Sequence, residues 1–472
     1  MSAPELCFTS AVELARMIRE KKVSAVEVMQ AHLAQIERVN PQVNAIVTLV
    51  AEQALEGARA ADAALARGDA VGPLHGLPVG IKDARPTKGI RTTNGSPIYK
   101  DHVPDHDTIQ VERLKAAGAI IVGKTNLPEF STGGHTINKV FGATLNPYDL
   151  SRTCGGSSGG SGVGVACGMM PLADGSDTGG SLRIPAAYSN VVGMRPSPGR
   201  VPIWPAALGW YTQHIQGPMA RSVGDIALML SATAGPDPRS PIAQHEPGST
   251  FGGSLARDFK GVRVAWSRNL GVYPVEPVVT QVCDAARPAF EQIGCRVEDA
   301  DPDPTDSDHI FNVLRSAYAA LTLEKDYREH KPLVGEHLHA VIEYGLSMDA
   351  MTLVKAESQR TRLFERFQRF MGDYEFLIVP TTPAPPFPIT DPYLTEINGQ
   401  KLDNLFTWCG LPYTISLAGL PAISIPAGFT PDGLPIGLQI VGRHQQDLSV
   451  LQLASAFEQA TGFARQRPAV AA

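Results

Sequence analysis

Over residues 1–70, apolar side chains recur at helical spacing and are punctuated by polar starts. Ser10-Ala-Val-Glu13 and Ser24-Ala-Val-Glu27 each fit a capping box, in which serine and glutamate satisfy the free amides at a helix entry. The pattern predicts helices to about Arg19 and about Arg38, then an alanine-rich helix from about Ala51 to Arg67. Packing onto a sheet is favoured for these helices over a partner or dimer surface. From Leu77 the rhythm changes. Leu77–Ile81 is strand-like despite Pro78 and Gly80, and Ala119-Ile120-Ile121-Val122 is an apolar run of the kind buried strands carry. Val262–Trp266, a helix from about Glu276 to Ile293, and Cys295–Val297 form a βαβ pattern, so an α/β sheet continues there. Phe376–Val379 and Ile423–Ile425 add strands, with a proline-rich connector over 380–392. Gly235–Gly253 reads as a break and Asp299–Asp308 as a solvated acidic loop.

Composition narrows the class without deciding it. The chain has 472 residues, 43% hydrophobic and 19% charged, with a net charge of −6. Such values describe an ordinary globular protein, long enough to bury an extensive core. The negative balance argues against nucleic acid or an anionic membrane as the main partner. No apolar run approaches the roughly 18 residues of a membrane helix. The start, Met1-Ser-Ala-Pro-Glu-Leu-Cys-Phe8, lacks the basic region and apolar core of a signal peptide. Six cysteines without paired spacing suggest reduced thiols and a cytoplasmic setting.

The candidate chemistry lies in residues 154–183. They read Cys-Gly-Gly-Ser-Ser-Gly-Gly-Ser, a run of small apolar residues, then Asp-Gly-Ser-Asp-Thr-Gly-Gly-Ser-Leu-Arg. Two Gly-Gly-Ser clusters, ending at Ser157 and Ser181, present hydroxyls on nearly bare backbone. Successive amides in such turns form an anion-binding concavity. A serine held there has a nucleophile beside donors for a developing oxyanion. A serine needs a base, and no histidine lies between His135 and His214. Lys82 ends the strand-like run. Two readings of it stand: a surface lysine paired with Asp83, favoured by spacing alone, or an interior lysine made basic by desolvation.

Other patterns compete. Gly118-Ala-Ile-Ile-Val-Gly-Lys-Thr125 satisfies the phosphate-loop pattern, but its middle is a buried-strand run and Pro128 is a weak helix start. Gly155-Gly-Ser-Ser-Gly159 satisfies the nucleophile-elbow pattern, but the turn-rich Asn146–Thr153 precedes it instead of a strand. His214, His245, His309 and His444 sit in no recognisable context for that elbow. The 12 histidines show no metal-ligand spacing; His337 and His339, on a helix, would diverge. No metal or cofactor is expected. Asn94-Gly-Ser96 reads as a turn.

Further motifs run the length of the chain: Gly76-Leu-Pro-Val-Gly-Ile-Lys-Asp83, Ala117–Phe130, Phe141–Tyr148, Pro185-Ala-Ala, Val192–Pro196, Gly419–Pro426 and Gly433–Arg443. Together with both glycine-serine clusters they resemble the amidase signature family. The resemblance implies an α/β fold: one large domain, an α/β/α sandwich around a mixed central β-sheet. Residues 1–70 would be a helical segment packed on the core and 71–472 the catalytic domain, as one unit. It implies a Ser–cis-Ser–Lys triad of Ser181 (nucleophile), Ser157 (bridge after a cis bond) and Lys82 (base). Thr178, Gly179 and Gly180 would form the oxyanion loop with Ser181, and Ser131 and Thr132 would line the pocket. Asp177 and Arg183 would support the loop. Cys154 stands where many relatives carry proline, an exchange expected to change loop stiffness more than chemistry, with sensitivity to alkylation as a secondary expectation.

The expected activity is hydrolysis of a small, non-peptide carboxylic amide through an acyl-enzyme, with ester or carbamate cleavage as a side activity. Trp204, Trp210 and Trp408, with Tyr211, His214, Phe406 and Cys409 near them, serve either an aryl-favouring cleft or core packing; both readings stand. No arginine or lysine stands out as a carboxylate clamp, which points away from amino-acid amides. The glutaminase subunit of a tRNA-dependent amidotransferase uses the same triad and is the main alternative. A phosphate-loop nucleotide binder is a remote one. A homodimer is a family-level expectation.

Overall fold

The N-terminal helices form where capping and apolar spacing place them, at Ala11–Arg19, Ala25–Val43 and Ala51–Arg67. This computed structural model describes residues 3–402, 404 and 406–471; Met1 and Ser2, which begin the segment read for a leader, lie outside them. The Ser24–Glu27 capping box is complete. At the first helix Ser10 accepts from the Glu13 amide, but the Glu13 carboxylate is drawn to Arg16 and does not return to the cap. The second helix runs past Arg38 to Val43. Pro41 falls in its last turn, where Asn44 (φ 53°) closes the helix by donating to the Asn40 carbonyl. A further helix, Ala3–Phe8, was not expected. Leu14, Ile18, Val28, Met29, Ile36 and Val39 are buried, so this layer packs on the core.

The described residues carry one large mixed sheet of eleven strands. In chain order these are β1 (Ile46–Leu49), β2 (Pro78–Lys82), β3 (Ile120–Thr125), β4 (Leu172–Asp177), β5 (Val192–Arg195), β6 (Ile215–Ala220), β7 (Arg263–Trp266), β8 (Arg296–Asp299), β9 (Phe376–Pro380), β10 (Ala422–Phe429) and β11 (Pro435–Gly442). Their spatial order is β1-β3-β2-β4-β6-β5-β10-β11-β9-β7-β8. The expected βαβ unit is present: β7 and β8 run parallel, joined through the helix Pro277–Ile293. Helices flank the sheet, giving the α/β architecture expected.

Direction matters more than order for the site. β2 pairs in parallel with β3 and with β4, so all three strands deliver their C-terminal ends to the same edge of the sheet. Open α/β sheets place ligands outside such carboxyl ends. β2 ends on Lys82 and β4 on Asp177, immediately before the second Gly-Gly-Ser cluster. Both strands are wholly buried, so their residues cannot alternate between core and solvent.

Candidate active site

Lys82 is completely buried at the end of β2. Its Nζ lies 2.7 Å from Ser157 Oγ and 3.1 Å from the hydroxyls of Ser158 and Ser176. The surface pair with Asp83 does not exist. Asp83 is itself buried and accepts from the Thr93 hydroxyl and amide. Burial, then the nearby Arg85 charge, hold the Lys82 ammonium well below the usual lysine range, against the opposing pull of Asp174 and Asp177. The neutral amine is therefore far more accessible than in a solvated lysine, and hydroxyls surround it.

Ser157 follows a cis Gly156–Ser157 peptide bond and precedes the helix Gly159–Ala166. That helix is buried on every side because it is built from glycine, serine, valine and alanine. A Cβ at Gly160 would run into the backbone of Ala45 and Asn126. Glycine there lets the helix sit close enough to bring Ser157 to Lys82.

The second cluster hangs from Asp177. This buried carboxylate accepts from the amides of Gly180 (2.9 Å) and Leu182 (3.2 Å). Arg183 grips it through Nε (3.0 Å) and Nη2 (2.9 Å), and Arg195 through Nη1 (3.2 Å). Burial alone would raise the Asp177 carboxyl, but the Arg183 and Arg195 charges hold it far below the usual range. Arg183 is anchored in turn by Gln439 (2.6 Å) and Ser416 (2.7 Å). Sequence reading found Asp177 and Arg183 but gave Arg195 no role, though it sits inside a quoted motif. Gly180 has φ +120°, a conformation side chains rarely adopt. Its amide is spent on Asp177, while those of Thr178, Gly179 and Ser181 meet no acceptor among the described residues.

Ser157 and Ser181 open into one cavity of about 350 Å³, walled also by Ser131, Thr132, Thr178 and Gly179. Ser131 takes a left-handed backbone (φ +58°) in that wall. Six aromatic side chains (Tyr99, Phe130, Tyr211, Phe311, Tyr318 and Phe406) also line the cavity. The tryptophans do not. Trp408 is 2% exposed and packs beneath Gly134, whereas Trp204 and Trp210 are 36% and 73% exposed and lie outside the cavity. Their neighbours Tyr211, His214, Phe406 and Cys409 do line it. Two arginines do as well, against the absence of any obvious clamp in the sequence. Arg85 pairs with buried Asp174 at 3.3 Å; Arg315 comes from the helix Ser307–His330. Sequence reading missed both, together with Asp174, Ser158 and Ser176.

The structure disposes of the competing patterns. In the phosphate-loop match, residues 120–125 are β3, and Lys124 is buried, donating to the Arg85 carbonyl and the Thr87 and Thr92 hydroxyls. No strand of the large sheet leads directly into Ser157, and no histidine bonds to Ser157 or Ser181 among the described residues; His214 instead meets the Thr178 hydroxyl at 2.9 Å. No group of histidine, cysteine or carboxylate side chains suited to a metal occurs among them. Cys154 is fully buried, and burial pushes its thiol up to about 12, both of which disfavour the thiolate that alkylation needs. No helix among the described residues is long and apolar enough to cross a membrane.

Comparison with known proteins agrees with this geometry. The family model described as Amidase matches residues 27–451. The chain belongs to the amidase (amidase signature) family. This amidase is 35% identical to an acylamidase of Rhodococcus erythropolis, over 99% of both chains. It is 36% identical to a glutamyl-tRNA(Gln) amidotransferase subunit of Carboxydothermus hydrogenoformans, over 98% of this chain and 99% of that one. Its fold matches the crystal structure of a bacterial aryl acylamidase of the amidase signature family at a TM-score of 0.90, with 29% identity and 97% of each chain covered. The protein is thus a hydrolase acting on the C–N bond of amides.

Proposed function

We propose that this amidase cleaves a small, non-peptide carboxylic amide through an acyl-enzyme on Ser181, with Lys82 and Ser157 as its proton relay. One observation carries the reading: a buried, desolvated amine lies 2.7 Å from Ser157 Oγ, beside the cavity that also takes in Ser181. Neutral Lys82 draws the proton of Ser157, which draws that of Ser181, and the Ser181 oxygen attacks the carbonyl. The free amides of Thr178, Gly179 and Ser181 take the oxyanion; each such donor is worth about 100- to 1,000-fold in rate. Gly180 turns the loop while Asp177 and Arg183 fix it. The relay then protonates the departing ammonia or amine, and water releases the carboxylate by the same groups. Ester and carbamate cleavage follow the same path. The aromatic walls favour an aryl or otherwise apolar substrate. Six unpaired cysteines suit a cytoplasmic setting.

The test is turnover of anilides, alkyl amides, esters and carbamates by wild type, Ser181→Ala and Lys82→Ala. The reading expects wild-type turnover that both variants lose by about 1,000-fold or more. Turnover surviving in Ser181→Ala overturns the nucleophile. The glutaminase reading is kept by the Carboxydothermus relative. It expects glutamine hydrolysis and co-purifying partner chains in place of anilide turnover.

A further inference from the structure

The helix Ser307–His330 turns Phe311, Arg315, Tyr318, Ala319, Thr322 and Leu323 toward the cavity, the spacing of one helical face. Arg315 is the anomaly on that face. Its guanidinium carbon lies 3.6 Å from the centre of the Phe406 ring. Stacking of this kind fixes the guanidinium plane and leaves its N–H edge free to donate. Among the described residues Arg315 makes no hydrogen bond or ion pair, and its buried Nη2 has no partner. Burial pushes it down only to about 10, so it stays a cation at neutral pH. Arg315 is half-buried with its Nη2 enclosed and no counter-ion beside it, so an anion reaching that edge would offset the desolvation it bears. Arg85, the other cavity arginine, already has Asp174. Asp326 lines a different part of the wall, accepting from the Tyr99 hydroxyl at 3.0 Å, and would repel a second carboxylate.

We propose that Arg315 seats a carboxylate on the substrate, so that the preferred substrates are amides bearing a carboxylate beyond the scissile bond. The inference rests on the amidase reading of this cavity. Arg315 is here a specificity residue: it grips the part of the substrate that does not react, by N–H donation to both carboxylate oxygens.

The experiment compares isosteric pairs that differ only in charge. One pair is N-acetyl-4-aminobenzoate and N-acetyl-4-aminoacetophenone; the other is glutaric acid mono-anilide and 5-oxohexanoic anilide. Wild type should favour the carboxylate of at least one pair by about 10- to 100-fold in kcat/KM. That ratio should fall to near one in Arg315→Met or Arg315→Gln, whichever folds, as judged by thermal unfolding. Calorimetric binding of N-acetyl-4-aminobenzoate to Ser181→Ala, with and without Arg315→Met, gives a readout that needs no turnover, and Kd should weaken by the same factor. Equal turnover within both pairs by wild type, or a preference that persists without Arg315, overturns the inference and leaves the amidase reading standing. Arg315-dependent carboxylate binding without hydrolysis of any amide supports the anion seat and counts against the amide-hydrolysis reading.

Discussion

Replacing Asp177 by asparagine keeps the shape of the side chain and removes its charge. Arg183 and Arg195 are fully buried within 3.2 Å of that carboxylate. Both would remain in place without an anion. Removing one partner of a buried pair costs about 3–5 kcal/mol, because the other charge is left unpaired. Unfolding entropy is about 2.1 cal/mol/K per residue; for 472 residues that makes about 1 kcal/mol per degree. Calorimetry at pH 7 should therefore show Tm lower in Asp177→Asn by about 3–5 °C. The pH dependence follows from the sign of the shift. The folded carboxyl is depressed below its ordinary value of 3.8, so its contribution is present above pH 3.8 and lost as acid protonates it. The gap between wild type and variant should accordingly close in acid. Because the same carboxylate holds the Gly180 and Leu182 amides, kcat should fall by about 100-fold or more as loop donors lose alignment. An unchanged Tm with full kcat would refute the reasoning, showing that Ser416 and Gln439 suffice for the arginines.

Three further outcomes are expected. Gly134→Ala would drive a Cβ into the Trp408 ring and displace the cavity wall at 131–134; it should cost about 1–3 kcal/mol by urea unfolding, and no loss would mean the ring moves freely. Burial lowers His32 and His135 to about 4 and His214 to about 3, so the unfolded chain takes up their protons first. NMR titration of the rings should therefore find all three imidazoles still neutral at pH 5.5, and protonation near the ordinary value of 6.5 would contradict the buried placement. With Lys82 depressed, kcat/KM should already be high well below pH 10 and fall only as acid protonates the amine. A profile still rising at the usual lysine value of 10.5 would show a solvated lysine.

Loops proved more legible than the strands that carry them. Glycine and serine at 155–157 and 179–181 announced turns with bare amides, and capping residues marked the N-terminal helices. Strands β4 and β6, Leu-Ala-Asp-Gly-Ser-Asp and Ile-Gln-Gly-Pro-Met-Ala, are buried on both faces and carry no alternation to read. The helix Gly159–Ala166 has neither an apolar stripe nor helix-favouring residues; packing alone accounts for it. Lys82 was placed by its family motif, while its spacing to Asp83 pointed the other way, because burial is not visible in neighbours along the chain. Arg195 reaches Asp177 from β5, and Arg315 reaches the cavity from a helix more than a hundred residues downstream of Ser181. Contacts of that range leave no local signature.

The most direct test of the central claim is rapid-quench turnover of an anilide followed by peptide mapping of the quenched enzyme. The account predicts a burst of aniline matched by an acyl mass on the peptide carrying Ser181, absent from Lys82→Ala. An acyl group on Ser157 or Cys409 instead, or steady turnover with no acylated peptide at any time, would contradict it.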